Sequence, residues 1–391
     1  MEFQNIAQKL GFETYPTQMD ALYVQMQQNS APACDLPLIH TLQQDWDLFG
    51  KYYEAVTKTA EEINNDPLRS AWVKTASAFA KQSATPAAKK IPVPRADGTA
   101  VTDLLPLHIL INLIPEAIGA YTRRGFSRDE IALLMQDFPD SIRIVEQQLG
   151  RPAVNALYYG WLMIYAKAEI FRAGGFWFEL KTIGPNAMWL RNNRSGNILC
   201  LMCTGSFDRT GSYAVGSKYY EAPENSFSVT FEEDDEKFVG HGVFHNKVSP
   251  IKMTFSKDHW SCIARPGDPC VNLHIPRGAD ISMVALDKAL ADARELVATR
   301  YPEKPPMQVH CNSWLLDPKL GALLGPHARI TQFMERFVKH PQLSKGSGPF
   351  GYVFPKTEDY ASLPEHTSLQ RKLKKLYLDG SCIYGCSGLL L

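Results

Sequence analysis

Along residues 1–150 the apolar positions recur three or four apart, a spacing that places them on one side of a helix and predicts a helical region. Leu42, Trp46, Phe49, Tyr53, Val56 and Ile63 form one such stripe, and a run from Leu68 to Lys81 carries Trp72, Ala76 and Phe79. Ser83 to Gly98, rich in Ala, Pro and Lys, reads as a mobile loop. Gly125, Ser127 and Glu130 predict a helix stop and then a capping box, in which the Ser hydroxyl and the Glu carboxylate each satisfy a free backbone N–H. One helix therefore ends near Arg124 and the next begins at Arg128. A longer helix is expected from Ala153 to Ala173, with Leu157, Trp161, Tyr165, Ala168 and Phe171 on one face and Gly174-Gly175 ending it.

After Gly175 the period shortens. Phe176 to Ile183, Met188 to Arg191, Ile198 to Thr204, Phe227 to Glu232, Phe238 to Phe244 and Trp260 to Ala264 are short β-branched or aromatic runs between polar turns, the pattern of an antiparallel meander. Asn192 to Asn197 reads as a hairpin loop. The acidic run Glu232 to Glu236 reads as a solvated turn, because carboxylates in sequence on a strand alternate between faces and do not converge on a metal.

One segment changes the pattern again. Cys270 to Pro276 is a short strand, Arg277 to Ser282 a turn, and Met283 to Arg300 an amphipathic helix with Leu286, Leu290, Ala293 and Val297 on one side. Ser282 suits the N-cap, and Pro302, Pro305 and Pro306 stop the helix beyond Tyr301. Met307 to Leu316 is strand-like again. Two strands joined by a helix of roughly 27 Å should lie parallel in one sheet, a βαβ unit whose helix N-terminus aims free N–H groups at the space beyond the first strand. Such a corner can hold a phosphate.

The chain's 391 residues exceed a single core, so two domains are expected, a helical one over 1–150 and a mixed α/β one over 151–391. Lys+Arg and Asp+Glu stand at 41 each, which leaves no field of one sign to hold a polyanion. A helix-turn-helix reader of DNA around Phe126 is disfavoured for the same reason, since Asp129, Glu130, Asp137, Asp140 and Glu146 offset Arg123, Arg124, Arg128 and Arg143. Leu104 to Ile118 is apolar but broken by Pro106, His108, Asn112, Pro115 and Glu116, so it reads as a buried helix pair and not as a membrane span. The first residues lack the pattern of a signal peptide. A cytoplasmic chain with its eight cysteines as reduced thiols is the resulting expectation.

The segments LHIPRG, HCNSWLLDP, ITQFMERF, HTSLQRKL and YYGWLMIYAKAEIFRAGGFWFELK resemble a bacterial family of acyltransferase-domain proteins, in which a helical N-terminal domain precedes a GNAT-like C-terminal domain. The resemblance implies a mixed β-sheet flanked by helices, with the strand at Leu273 and Ile275 beside the pantetheine arm of an acyl-coenzyme A. Arg277, Gly278, Ala279 and Ser282 would lie at the pyrophosphate, and the strand after the helix would diverge to open an acceptor cleft. It further implies an acyl-CoA-dependent N-acyltransferase acting on a small-molecule amine or hydroxyl. The loop departs from the GNAT pattern, because Arg277-Gly278-Ala279-Asp280 keeps only part of it and Asp280 repels phosphate unless it points away or caps the helix. A catalytically inactive ligand- or protein-binding module is the alternative.

Acyl transfer to an amine needs a base, oxyanion donors and a group to reprotonate the thiolate. His274 and His310 are candidate bases, each with the structural use of a strand histidine as its alternative. Glu179 is the candidate carboxylate: either it is desolvated among Phe176, Trp177, Phe178 and Leu180, or it points outward from an alternating strand. Cys311 is either a nucleophile or a buried small apolar residue. Ser313 stands with Asn312 and Trp314 where GNAT enzymes carry a tyrosine acid, so no acid is assigned. A four-thiolate zinc site from Cys200, Cys203, Cys382 and Cys386 is disfavoured, because strand residues three apart face opposite ways. A metal hydrolase built on His241 and His245 has less support still, as no companion acid accompanies them. The expected partners are a small-molecule acyl acceptor, with no nucleic acid and no membrane, and a homodimer is left open.

Overall fold

The computed structural model describes residues 2–95, 97–213, 226–304, 307–355, 357 and 359–391, in two compact units, Met1–Ile170 and Phe171–Leu391. Ala96, Pro305 and Pro306, which entered the loop and helix-stop readings, lie outside the described residues.

The first unit is helical: α1 (Phe3–Lys9), α2 (Gln18–Met26), α3 (Leu36–Trp46), α4 (Tyr53–Asn65), α5 (Pro67–Gln82), α6 (Thr85–Ala88), α7 (Ala100–Ile111), α8 (Ile114–Arg123), α9 (Arg128–Met135), α10 (Asp137–Leu149) and α11 (Ala156–Ala166). The capping box stands where expected, with Ser127 accepting from the Glu130 N–H and Glu130 accepting from the Ser127 N–H. The stripe from Leu42 to Ile63 is two helices. Asp47 and Gly50 both take positive φ, which ends α3 and turns the chain into α4. The loop at 83–98 contains α6. Residues 104–118 are indeed a helix pair, and most of α7 is buried. By length and composition alone Ala100–Arg123 is apolar enough to cross a membrane, yet 67% of its most apolar window is buried inside the fold, as in a core helix.

The second unit contains β1 (Ile170–Ala173), β2 (Phe176–Thr182), β3 (Ala187–Asn192), β4 (Ile198–Met202), β5 (Ser206–Phe207), β6 (Phe227–Ser228), β7 (Glu232–Glu233), β8 (Lys237–Phe244), β9 (Lys247–Ser256), β10 (Trp260–Ala264) and β11 (Pro269–His274). After them come α12 (Met283–Arg300), β12 (Gln308–Ser313), α13 (Pro318–Leu324), α14 (Arg329–Glu335), β13 (Phe337–Pro341), α15 (Ser368–Leu378) and β14 (Cys386–Leu390). The first sheet has the order β1-β2-β11-β12-β14-β13, with β11 and β12 parallel and β14 antiparallel to both its neighbours. The second has the order β10-β3-β4-β8-β7, with β9 on β8. The expected meander is therefore divided between two sheets, because β2 pairs with β11 and not with β3.

The long helix expected to Ala173 ends at Ala166. Ala168 takes φ 53 and breaks it, and residues 170–173 form β1. Gly174 and Gly175, with φ 53 and 86, are the tight turn of the β1–β2 hairpin, where two positive φ values match the strand twist. A Cβ on Gly174 would stand 2.5 Å from the Ala289 Cβ, so the turn lies directly against α12.

The two faces of the first sheet differ. One carries Phe178, Leu273 and Cys311 in register; Phe171 stacks on Phe178 and meets Tyr301, the residue ending α12, so α12 covers this face. The other carries Glu179, Asn272 and His310 directly opposite one another on β2, β11 and β12. Over that face lies the second sheet, whose Trp189 meets the His310 ring edge-on at 5.8 Å and donates its Nε1–H to the Val338 carbonyl at 3.0 Å.

Candidate active site

The βαβ unit opens at one end. Parallel pairing of β11 with β12 ends at Leu273 opposite Cys311. β12 then continues beside β14 through Asn312 and Ser313, while β11 runs on through His274 to Ile275 and Pro276 and leaves it. Past that point the chain turns at Gly278, φ 79, and enters α12 with Ser282 as N-cap, whose hydroxyl accepts from the Ala285 N–H at 3.3 Å. A Cβ on Gly278 would meet nothing within 4 Å, so the loop faces open space. Val284 is 82% exposed in the first turn of α12, where main-chain N–H groups have no intrahelical acceptor.

Asp280 does not face outward into this corner as a bare charge. Its carboxylate accepts from the Ser282 N–H at 2.9 Å and from the Ser282 hydroxyl at 3.0 Å, and Arg329 lies 3.6 Å away. Those hydrogen bonds from Ser282 hold its pKa below the usual carboxylate range. Arg277 is not loose either: its guanidinium donates to the Tyr352 carbonyl at 2.9 Å.

At the same end, on the face opposite α12, β2 and β11 bring Glu179 and His274 together. His274 Nε2 is 2.9 Å from Glu179 Oε2, with the two side chains 26% and 9% exposed. A carboxylate that is nearly buried holds an imidazole that still reaches solvent, the arrangement in which the acid orients the ring. Asn272 lies 3.1 Å from His274 Nε2 and 3.2 Å from His310 Nδ1. His310 is 5% exposed; burial, aided by Lys181 and His340, pushes its pKa down to about 3, so the ring is neutral at physiological pH. His340 is buried with its ring 5.7 Å from that of Trp189, and burial takes its pKa to about 4.

The structure thus joins Glu179, His274 and His310, and parts them from the other candidates. Cys311 is fully buried on the α12 face, where burial pushes its thiol up to about 12, so it is a packed apolar residue and not a thiolate nucleophile. Ser313 accepts from the Leu315 N–H at 3.1 Å and starts the short 3-10 turn Trp314–Leu316. Leu273 is buried on the same face as Cys311, whereas Ile275, Ala279 and Ser282 are half-buried and Arg277 and Gly278 are exposed. Among the described residues no three His, Cys, Asp or Glu side chains gather to hold a metal ion. His241 donates its Nδ1–H to the Ser249 carbonyl at 3.0 Å, and His245 sits at φ 49 in the β8–β9 turn. Asn272 was missed in sequence: its place two residues before His274 puts both on one face, but only the register shows Glu179 and His310 flanking it.

Two concavities lie elsewhere in this unit. One, of about 490 Å³, is bounded by Leu199, Phe244, Met253, Phe255 and Trp260 on the second sheet. The other, about 170 Å³, lies by Arg191, Arg294 and Gln308 at the opposite end of β12.

Residues 170–390 match the family model described as GNAT-like C-terminal domain. Among solved structures, an acyltransferase mutant in complex with octanoyl-CoA aligns at 15% identity and TM-score 0.65, over 100% of this chain and 99% of that one. An acyltransferase in complex with decanoyl-CoA and teicoplanin aligns at 16% identity with the same TM-score and coverage. These likenesses extend over the helical first unit as well. Comparison with curated proteins gives no match.

Proposed function

The chain belongs to the family with a GNAT-like C-terminal domain, and we propose that it transfers an acyl group from an acyl-coenzyme A thioester to an amine or hydroxyl of a small molecule. The observation that carries this reading is the parting of β11 from β12 beyond Leu273, with the α12 N-terminus and His274 at the same opening. The edge of β11 that β12 leaves beyond Leu273 suits the amides of a pantetheine arm, and the first-turn amides of α12 suit its pyrophosphate. Asp280 stays ionised, but its carboxylate is tied to Ser282 and lies 3.6 Å from Arg329, which offsets part of its repulsion of phosphate. Solved structures of the same fold that hold octanoyl-CoA and decanoyl-CoA support a medium-chain donor.

In this reading His274 takes the proton from the acceptor as its nitrogen or oxygen attacks the thioester carbonyl carbon. The new bond to carbon forms, the carbon–sulfur bond breaks, and the thiolate leaves to be protonated. Glu179 holds the imidazole and balances the charge it gains. Free thiol release from octanoyl-CoA, measured with a panel of amines and hydroxyl compounds, tests the proposal. Release that depends on the acceptor is expected, and its loss in His274→Ala at intact binding. Binding without release for every acceptor favours the alternative of an inactive ligand-binding module, which the anchored Arg277 and the incomplete loop support.

A further inference from the structure

Beyond Cys311, β12 has lost β11 on one side and kept β14 on the other. The next residue of β12 on the face of Glu179, Asn272 and His310 is Asn312, which stands opposite Ser387 of β14, and Ser387 stands in turn opposite His340 of β13. Carried one step past Leu273 and Cys311, the parallel register would set His274 against Asn312, so these two residues flank the opening on the same face. We propose that the side-chain amide of Asn312 donates to the thioester carbonyl oxygen of the acyl carrier and holds the charge which that oxygen gains during transfer. The inference rests on the proposed transfer and adds the group that stabilises its negative charge, across the opening from His274.

Exposure singles this residue out. His310, two positions earlier on the same face, and Ser387 beside it are buried, whereas Asn312 is exposed where β11 has left. Its amide is nevertheless held. Oδ1 accepts from the Ser387 hydroxyl and from Gln342 Nε2 at 3.1 Å, and Gln342 is itself tied to the start of β14, its main-chain N–H donating to the Gly385 carbonyl at 3.1 Å. Two donors occupy both lone pairs of that oxygen. The two ends of an amide diverge, so the Nδ2 hydrogens are turned from β14 to the side that β11 has left, and among the described residues nothing accepts from them. What faces the opening is therefore a donor fixed in place before any ligand arrives. Such a group cannot take the acceptor's proton, which goes to His274, but it suits an oxygen that becomes negative. As the acceptor bonds to the carbonyl carbon, the π pair of the carbonyl moves onto its oxygen, where Nδ2–H holds it. The pair returns as the carbon–sulfur bond breaks and the thiolate leaves, and Asn312 keeps its hydrogens throughout.

Infrared difference spectra of octanoyl-CoA labelled with carbon-13 at the thioester carbonyl, bound to the full chain without an acceptor, test this. The carbonyl stretch is expected at lower frequency bound than free in the wild type. It should return most of the way to the free value in Asn312→Ala and in Asn312→Asp, the second of which keeps an oxygen for Ser387 and Gln342. In both variants kcat for thiol release should fall roughly 10²–10³-fold while the calorimetric affinity for octanoyl-CoA stays nearly unchanged. A bound stretch that is the same in wild type and variants, or a loss confined to the KM of the acceptor, overturns the inference. Should thermal unfolding show that neither variant folds, the wild-type spectrum decides, since an unshifted stretch overturns it as well. Absence of octanoyl-CoA binding overturns both this inference and the transferase reading. A stretch that shifts as expected, with no thiol release for any acceptor, supports the contact and counts against the transferase reading alone.

Discussion

A carboxylate with Phe176, Phe178 and Leu180 on its own strand keeps its charge only if something cationic or donating reaches it, and His274 does so from β11. The types of both residues made them candidates in sequence; their pairing was not legible, because 95 residues separate them and the β2–β11 register joins them. Replacing His274 with Ala should lower turnover of octanoyl-CoA by roughly 10²–10⁴-fold while leaving its binding constant nearly unchanged, as expected of a general base. Steady-state thiol release and calorimetry on the same sample separate the two effects. Cys311 sets a contrast. With its thiol held near 12 and no exposure, Cys311→Ala should leave turnover intact and cost about 1 kcal/mol through lost packing, and the native thiol should resist alkylation. An acceptor-dependent burst abolished by Cys311→Ala would contradict the assignment.

At the scale of elements, the sequence signals were strongest where caps and breakers coincide with periodicity. Helix α12 occupies Met283–Arg300 with Ser282 at its N-cap, as the pattern predicted, and the flanking strands are parallel. β13, β14 and β9 were missed. β9 and β13 each contain a proline, which argues against a central strand, and β14 was reachable only through its place between β12 and β13. The double glycine was read as a helix stop because the apolar stripe of α11 runs on through Phe171, while the left-handed turn at Ala168 has no strong local signature. The α12 entrance offers a clean perturbation. Val284→Glu adds a negative charge beside free helix amides, so the folded chain should be as stable or slightly more so, while CoA binding should weaken by about tenfold. Thermal unfolding and calorimetry together check this; unchanged affinity would place the pyrophosphate elsewhere.

For the molecule as a whole, the change from helices to mixed sheets was legible from the change in period; the sequence divided the chain at 150, whereas the compact units part after Ile170, because α11 belongs with the helices. What the period could not give is the face-to-face packing of two sheets in the second unit, which depends on Trp189 meeting His310 and His340. That packing has an acid consequence. His310 and His340 have folded pKa values near 3 and 4, below the ~6.5 of an unfolded chain, so the unfolded state binds more protons between these limits. Their stabilising contribution is whole above about pH 6.5 and is lost as pH falls towards 4, at up to ~1.4 kcal/mol per pH unit for each ring. Unfolding of this unit followed from pH 7.5 to 5 should show that slope, and His310→Gln should flatten it. Titration of the full chain with octanoyl-CoA in a calorimeter asks whether the opening between β11 and β12 receives an acyl carrier. One molecule should bind per chain, more weakly in Val284→Glu; absence of heat and of any thermal shift at millimolar ligand would contradict that role for the site.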